Sequence, residues 1–191
     1  MSITDDPELA ALQRQAQIGE RERAADPLGE FRRINVEGTL RLAQQAAEAG
    51  VRRFIFLSSL KVNGEATAPN HPFTADDAPA PEDAYGQSKY EAEQGLLAIA
   101  HSSAMEVVII RPPLVYGPGV RANFRALAKA VAMGLPLPFG NIDNLRSLVG
   151  LHNLVDFIVR CVESPEAAGQ AFLVSDDQDI STRNLVRRLA H

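Results

Sequence analysis

Two kinds of apolar pattern alternate along the chain. Short unbroken runs occur at Phe54-Ile55-Phe56-Leu57, within Val51 to Ser59, at Val107 to Ile110, and at Ala171 to Val174. Runs of this length predict strands of a parallel sheet covered on both faces. Between them lie stretches that read as helices. Asp26-Pro27 supplies an N-cap and a first-turn proline, and Gly50 a left-handed C-cap, so one long helix is predicted over 27–49. Asp83 caps a second, to about His101, whose Leu96, Leu97 and Ala100 form an apolar face. Pro112-Pro113 stops the second strand, because proline cannot continue the ladder.

After the turn Gly117-Pro118-Gly119, the residues Phe124, Leu127, Ala128 and Val131 predict a helix over about 122–133, closed by Gly134. Leu135 to Asn144 reads as loop and Arg146 to Val149 as a short strand. Asn153 reads as the cap of a helix to about Glu163, and Ser181-Thr182 as the cap of a last one. Residues 1–25 form a polar segment with Leu9, Leu12 and Ala16 at near-helical spacing. Strands alternating with helices give an α/β class with a parallel sheet and right-handed crossovers.

Composition narrows the function. With 46% hydrophobic and 23% charged residues, the 191-residue chain has the material for a packed core. A net charge of -5 and a pI near 5.4 leave no electrostatic footprint for nucleic acid or an anionic membrane. No apolar stretch approaches the ~18–20 residues of a membrane span. The start carries Asp5, Asp6 and Glu8 where a signal peptide would be basic and then apolar. The single cysteine, Cys161, lies in the apolar run Val155 to Val162, which predicts a buried thiol and fits a reducing cytoplasm. The residues His71, His101, His152, Asp76 and Asp77 have no metal-ligand spacing, so no metal is expected.

The chemistry concentrates in three places. Tyr85-Gly86-Gln87-Ser88-Lys89 sets a phenol and an ammonium one helical turn apart on one face, in a chain with three tyrosines and three lysines. A tyrosine with a pKa of ~10 becomes a useful base only when a cation stabilises its phenolate. Ser58-Ser59 stands at the carboxyl end of a predicted parallel strand, where open sheets bind ligands, although a serine pair there also forms turns. Arg111-Pro-Pro-Leu-Val-Tyr-Gly117 again marks a strand breaking into a loop.

In order and spacing, five segments resemble the extended short-chain dehydrogenase/reductase family of NAD-dependent nucleotide-sugar epimerases, dehydratases and reductases. They are Asn35-Val36-Glu37-Gly38-Thr39, Phe54 to Ser59, Tyr85 with Lys89, Arg111 to Pro118, and Arg146 to Val149 followed by Asn153 to Asp156. The resemblance runs from about Asp26 to His191. It implies a partial Rossmann-like parallel sheet flanked by helices over 26–120, and a small C-terminal substrate-binding portion over 121–191.

The resemblance also implies roles. Tyr85 would be the general acid/base, Lys89 would hold the nicotinamide ribose and lower the tyrosine pKa, and Ser59 would hydrogen-bond the reacting oxygen. Asn35 would support the lysine's hydrogen-bond chain. Ser58, Pro112, Pro113 and Leu114 would lie beside NAD or NADP. Arg146 would clamp the diphosphate of a nucleotide sugar, a task suited to a planar guanidinium. Lys61 reads either as a substrate contact or as a solvated loop lysine, and Asn123 either as a phosphate donor or as a helix cap. Ser59 is followed by Leu60-Lys61-Val62-Asn63, without the acidic residues that dehydration needs, so 4-epimerisation or 4-keto reduction is implied instead. Relatives pair helices equivalent to 27–49 and 83–101 into a homodimer interface.

The family opens with a Gly-x-x-Gly-x-x-Gly turn against the cofactor pyrophosphate. None of the 13 glycines here recurs at that spacing. The chain therefore reads as the middle of a longer enzyme. The alternative is a catalytically idle fragment, or a binding module of the same fold that cannot hold NAD on its own.

Overall fold

A computed structural model describes residues 21–22, 24–68, 70–118 and 144–189. Its first helical run is α1 (Pro27–Phe31), a π-helical segment (Arg32–Gly38) and α2 (Thr39–Glu48). Asp26 caps it by accepting from the Gly29 N–H at 2.9 Å, and Gly50 leaves it with φ 75°. The predicted 27–49 helix is thus continuous in span, with a wider central turn. Strand β1 (Arg53–Leu57) follows, then a 3-10 turn (Leu60–Val62) and the helix α3 (Ala84–His101), capped by Asp83. Next come β2 (Glu106–Arg111) and β3 (Leu114–Tyr116). The later elements are β4 (Leu145–Arg146), β5 (Leu148–Gly150), α4 (Leu151–Glu163), β6 (Ala171–Leu173), β7 (Ile180–Ser181) and α5 (Thr182–Leu189).

The main sheet has the order β1-β2-β6, all parallel, with Phe54 opposite Val107 and Ile110 opposite Phe172. It is the core of a three-layer α/β arrangement. On one face, Phe56, Val107 and Ile109 pack against Ala43 of α2 and Ala92 and Leu96 of α3. On the other, Val108 and Ile110 pack against Leu154 and Cys161 of α4. Each large side chain buried this completely, Leu96 and Ile110 among them, contributes about 1.5–3 kcal/mol. Cys161 is buried as predicted, and burial pushes its thiol up.

Several expectations need correction. β1 is covered on both faces, Phe54 and Phe56 packing toward α2 and α3 and Ile55 toward α4, but its last residue, Leu57, is 42% exposed, and among the described residues the strand pairs with β2 alone. The strand predicted at Arg146 to Val149 is two strands in two sheets. β4 pairs antiparallel with β7, and β5 pairs parallel with β3. Asn153 does not cap α4. The helix begins at Leu151 after an extended Gly150, and Asn153 instead donates its amide to Asp176 Oδ1 at 2.8 Å. Ser181 does act as a cap, accepting from the Asn184 N–H at 3.1 Å. The predicted helix over 122–133, the loop to 143, Asn123 and nearly all of the polar 1–25 segment lie outside the described residues.

Candidate functional site

Tyr85 and Lys89 take their positions from the start of α3. Asp83 Oδ1 accepts from the Gly86 N–H at 2.6 Å and fixes the first turn, and one turn later Lys89 points back to the sheet. Its Nζ donates to the Leu57 carbonyl at 2.9 Å and lies 4.7 Å from the Phe56 ring centroid and 5.9 Å from that of Tyr85. Burial lowers the Lys89 ammonium to about 8, against a small opposing pull from Glu93. The Tyr85 ring packs edge-on against Phe31 of α1 at 5.6 Å.

Burial raises the Tyr85 phenol above its ordinary value, the Asp83 carboxylate raises it further, and Lys61 opposes both. Lys61 is thus one cation that favours the phenolate.

The serine turn is stitched to β2. The Ser58 N–H donates to the Ile110 carbonyl at 2.8 Å, and the Leu60 N–H to the Pro112 carbonyl at 3.0 Å. Ser59 Oγ accepts from the Lys61 N–H at 3.2 Å. Lys61 is 43% exposed along its side chain, and its ammonium bonds Glu65 Oε1 at 2.8 Å and Asp83 Oδ2. Ser58 is 4% exposed and its hydroxyl has no partner among the described residues. A buried polar group left unpaired costs about 1–3 kcal/mol, which a ligand hydroxyl would recover. An unpartnered hydroxyl and a buried amine beside the carboxyl ends of β1 and β2 suit the ribose end of a nicotinamide nucleotide.

Sequence-predicted residues thus divide into a cluster and outliers. Ser58, Ser59, Lys61 and Pro112 lie on the turns that leave β1 and β2, and Tyr85 and Lys89 on the first turns of α3, tied to them through Asp83 and Leu57. Asn35 stands behind them on the π-helical segment: its Nδ2 donates to Ser88 Oγ at 2.9 Å, and Ser88 donates to the Tyr85 carbonyl at 2.8 Å. It therefore braces the tyrosine's backbone through Ser88. Pro113 is half-buried at the strand exit. Leu114 pairs with Leu148 in the β3–β5 sheet, and Arg146 is exposed on β4 opposite Ile180.

Two networks escaped the sequence. Arg111, at the end of β2, makes a bidentate pair with Glu93 of α3 at 2.6 and 3.0 Å and donates to Asn63 Oδ1 at 3.1 Å, all three being buried. A glutamate between the apolar positions Ala92 and Leu96 was the available signal. Asp176 collects the Tyr116 hydroxyl at 2.7 Å, the Gly150 N–H at 3.0 Å and Asn153, which together hold its carboxyl below the usual range.

Among the described residues no helix is long and apolar enough to cross a membrane, and no group of three or more His, Cys, Asp or Glu is placed to hold a metal ion. The family model "NAD dependent epimerase/dehydratase family" matches residues 4–175. The chain is 57% identical over 170 residues to a UDP-glucose 4-epimerase of Vibrio cholerae, covering 88% of this chain and 52% of that protein. It is 30% identical over 158 residues to the N-acetyl-alpha-D-glucosaminyl-diphospho-ditrans,octacis-undecaprenol 4-epimerase of Escherichia coli O157:H7, covering 80% and 46%. The solved structure of MoeE5 in complex with UDP-glucose and NAD superposes with a TM-score of 0.75 at 28% identity, covering 85% and 55%. The chain spans about half the length of the curated relatives it matches.

Proposed function

The chain belongs to the NAD-dependent epimerase/dehydratase family, and from that membership we propose that the protein epimerises a UDP-linked hexose at C4. The observation that carries this reading is Tyr85 and Lys89 on one turn of α3, joined to the Ser59 turn by the Lys61 clamp and to β1 by Leu57. In this reading Tyr85 takes the proton of the C4 hydroxyl as C4 loses hydride, and gives a proton back to the C4 oxygen when hydride returns to the opposite face of the ketone. Ser59 hydrogen-bonds the reacting oxygen. The unpartnered Ser58 hydroxyl and the Lys89 amine hold the ribose, and NAD, when bound, supplies the hydride acceptor and donor. Positioned proton transfer of this kind contributes ~10²–10⁴-fold in rate.

Two cations serve the phenolate. Lys61 acts through space on Tyr85, and Lys89, with its pKa near 8, remains mostly ammonium at neutral pH. Arg146, exposed on β4, is assigned to the substrate diphosphate. The same reading includes a homodimer through the helical run 27–48 and α3. The residues after Ser59 offer no acid for dehydration. The test is to incubate the full-length protein with UDP-glucose and NAD: UDP-galactose is the expected product, and a 4-keto-6-deoxy sugar would overturn the assignment.

A further inference from the structure

Lys61 touches three parts of the site at once. Its backbone N–H holds Ser59 Oγ at 3.2 Å. Its carbonyl oxygen lies 2.7 Å from where a Cβ on Gly86 would stand, so the serine turn and the first turn of α3 are in backbone contact there. Its ammonium bridges Glu65 and Asp83, and Asp83 spends its other oxygen capping the tyrosine's own helix. The reach of this one residue spans both halves of the proton-transfer pair.

We propose that Lys61 is a positioning residue, which clamps the Ser59 turn onto the helix of Tyr85 and sets the phenol's readiness to ionise by offsetting the charge of Asp83. The proposal rests on the epimerase reading for its use in catalysis, but not for its physics. Charged groups face Tyr85 from two elements: Asp83 and Lys89 on α3, and Lys61 from the turn after β1, with Glu65 bound to Lys61. From α1 the neighbour is the Phe31 ring, and Arg32 beside it is paired with Glu91. Bonds to Asp83 and Glu65 outweigh burial and raise the Lys61 amine, so the clamp stays charged throughout the working range.

Removing a charge that faces an ionisable group moves its midpoint in the direction the charge's sign sets. The test labels the full chain with 3-fluorotyrosine, whose ring fluorine brings phenol titration into a range the fold survives. The Tyr85 signal is then followed by ¹⁹F NMR, with assignment by Tyr85→Phe. Lys61→Met should raise the Tyr85 midpoint and Lys61→Arg should restore it. Asp83→Asn, which keeps the helix cap and removes the charge, should lower it, and this arm stands even where Lys61→Met does not fold. A Tyr85 midpoint unmoved in a folded Lys61→Met, or unmoved in Asp83→Asn, overturns the proposal. In the full-length protein, Lys61→Met should lower kcat with KM for the sugar nucleotide unchanged, whereas a raised KM with kcat intact would make Lys61 a substrate ligand and overturn the clamp. If the titration shifts as stated but no variant or parent turns over UDP-glucose, the clamp stands and the epimerase reading falls.

Discussion

Lys89 carries a consequence at the scale of one side chain that can be read without substrate. Its pKa near 8 lies below the ordinary 10.5, and Lys61 is displaced the other way. Between those two Lys89 values the unfolded state binds more protons than the folded one, so this group's contribution to stability rises with pH across that window and is flat below it. The same shift makes Lys89 the more reactive amine. Limited acylation near pH 8 followed by peptide mapping should modify Lys89 ahead of Lys61; the reverse order would contradict the lowered Lys89 pKa. Ser58 gives a second expectation. Removing an unpaired hydroxyl sacrifices no protein contact, so Ser58→Ala should leave thermal stability unchanged or raise it by up to about 1 kcal/mol, while weakening NAD binding several-fold. Calorimetry and NAD titration of the full-length protein separate the two effects. The site residues Tyr85, Lys89 and Ser59 were legible because few tyrosines and lysines occur and their spacing is local. The bond from Lys61 to Asp83 was not, because the partners are 22 residues apart with a loop between them.

Helix α3 is the element on which the site depends. It joins the sheet through apolar Ala92 and Leu96 and through the buried Glu93–Arg111 pair. Replacing one partner leaves the other charge buried and unpaired, which costs about 3–5 kcal/mol. Glu93→Ala should therefore shift the denaturant midpoint far more than Gln94→Ala, an exposed neighbour on the same helix; equal shifts would show that the pair is not buried in solution. The helices were legible where caps bound them, as at Asp26, Asp83 and Gly50. Strands β3 and β7 were not, since two or three residues complete no alternation, and β4 and β5 read as one strand because a single residue separates them. The π-helical turn was hidden for a similar reason: over seven residues its period cannot be told from that of an α-helix. Asn153 misled because a good capping residue stood two places inside the helix, its amide drawn to Asp176 instead.

For the whole molecule, three layers place the carboxyl ends of β1 and β2 beside α3, and the parallel order β1-β2-β6 follows from apolar runs that the sequence displays openly. The exposure of Leu57 was not legible, because a run of apolar residues does not say where along the strand its cover ends. The proposed homodimer makes use of Ile34 and Leu42, 37% and 58% exposed on the long helical run. Leu42→Glu should convert the full-length protein to a monomer in sedimentation velocity, and an unchanged dimer would move the interface elsewhere. The central claim is that Tyr85, set by its helix and the serine turn, moves the proton of a UDP-sugar hydroxyl. Its most direct measurement is the UDP-glucose turnover of full-length Tyr85→Phe beside the parent protein. Turnover lower by about 10²-fold or more, with fold and sugar-nucleotide affinity unchanged, is the predicted result, and near-normal turnover would contradict it.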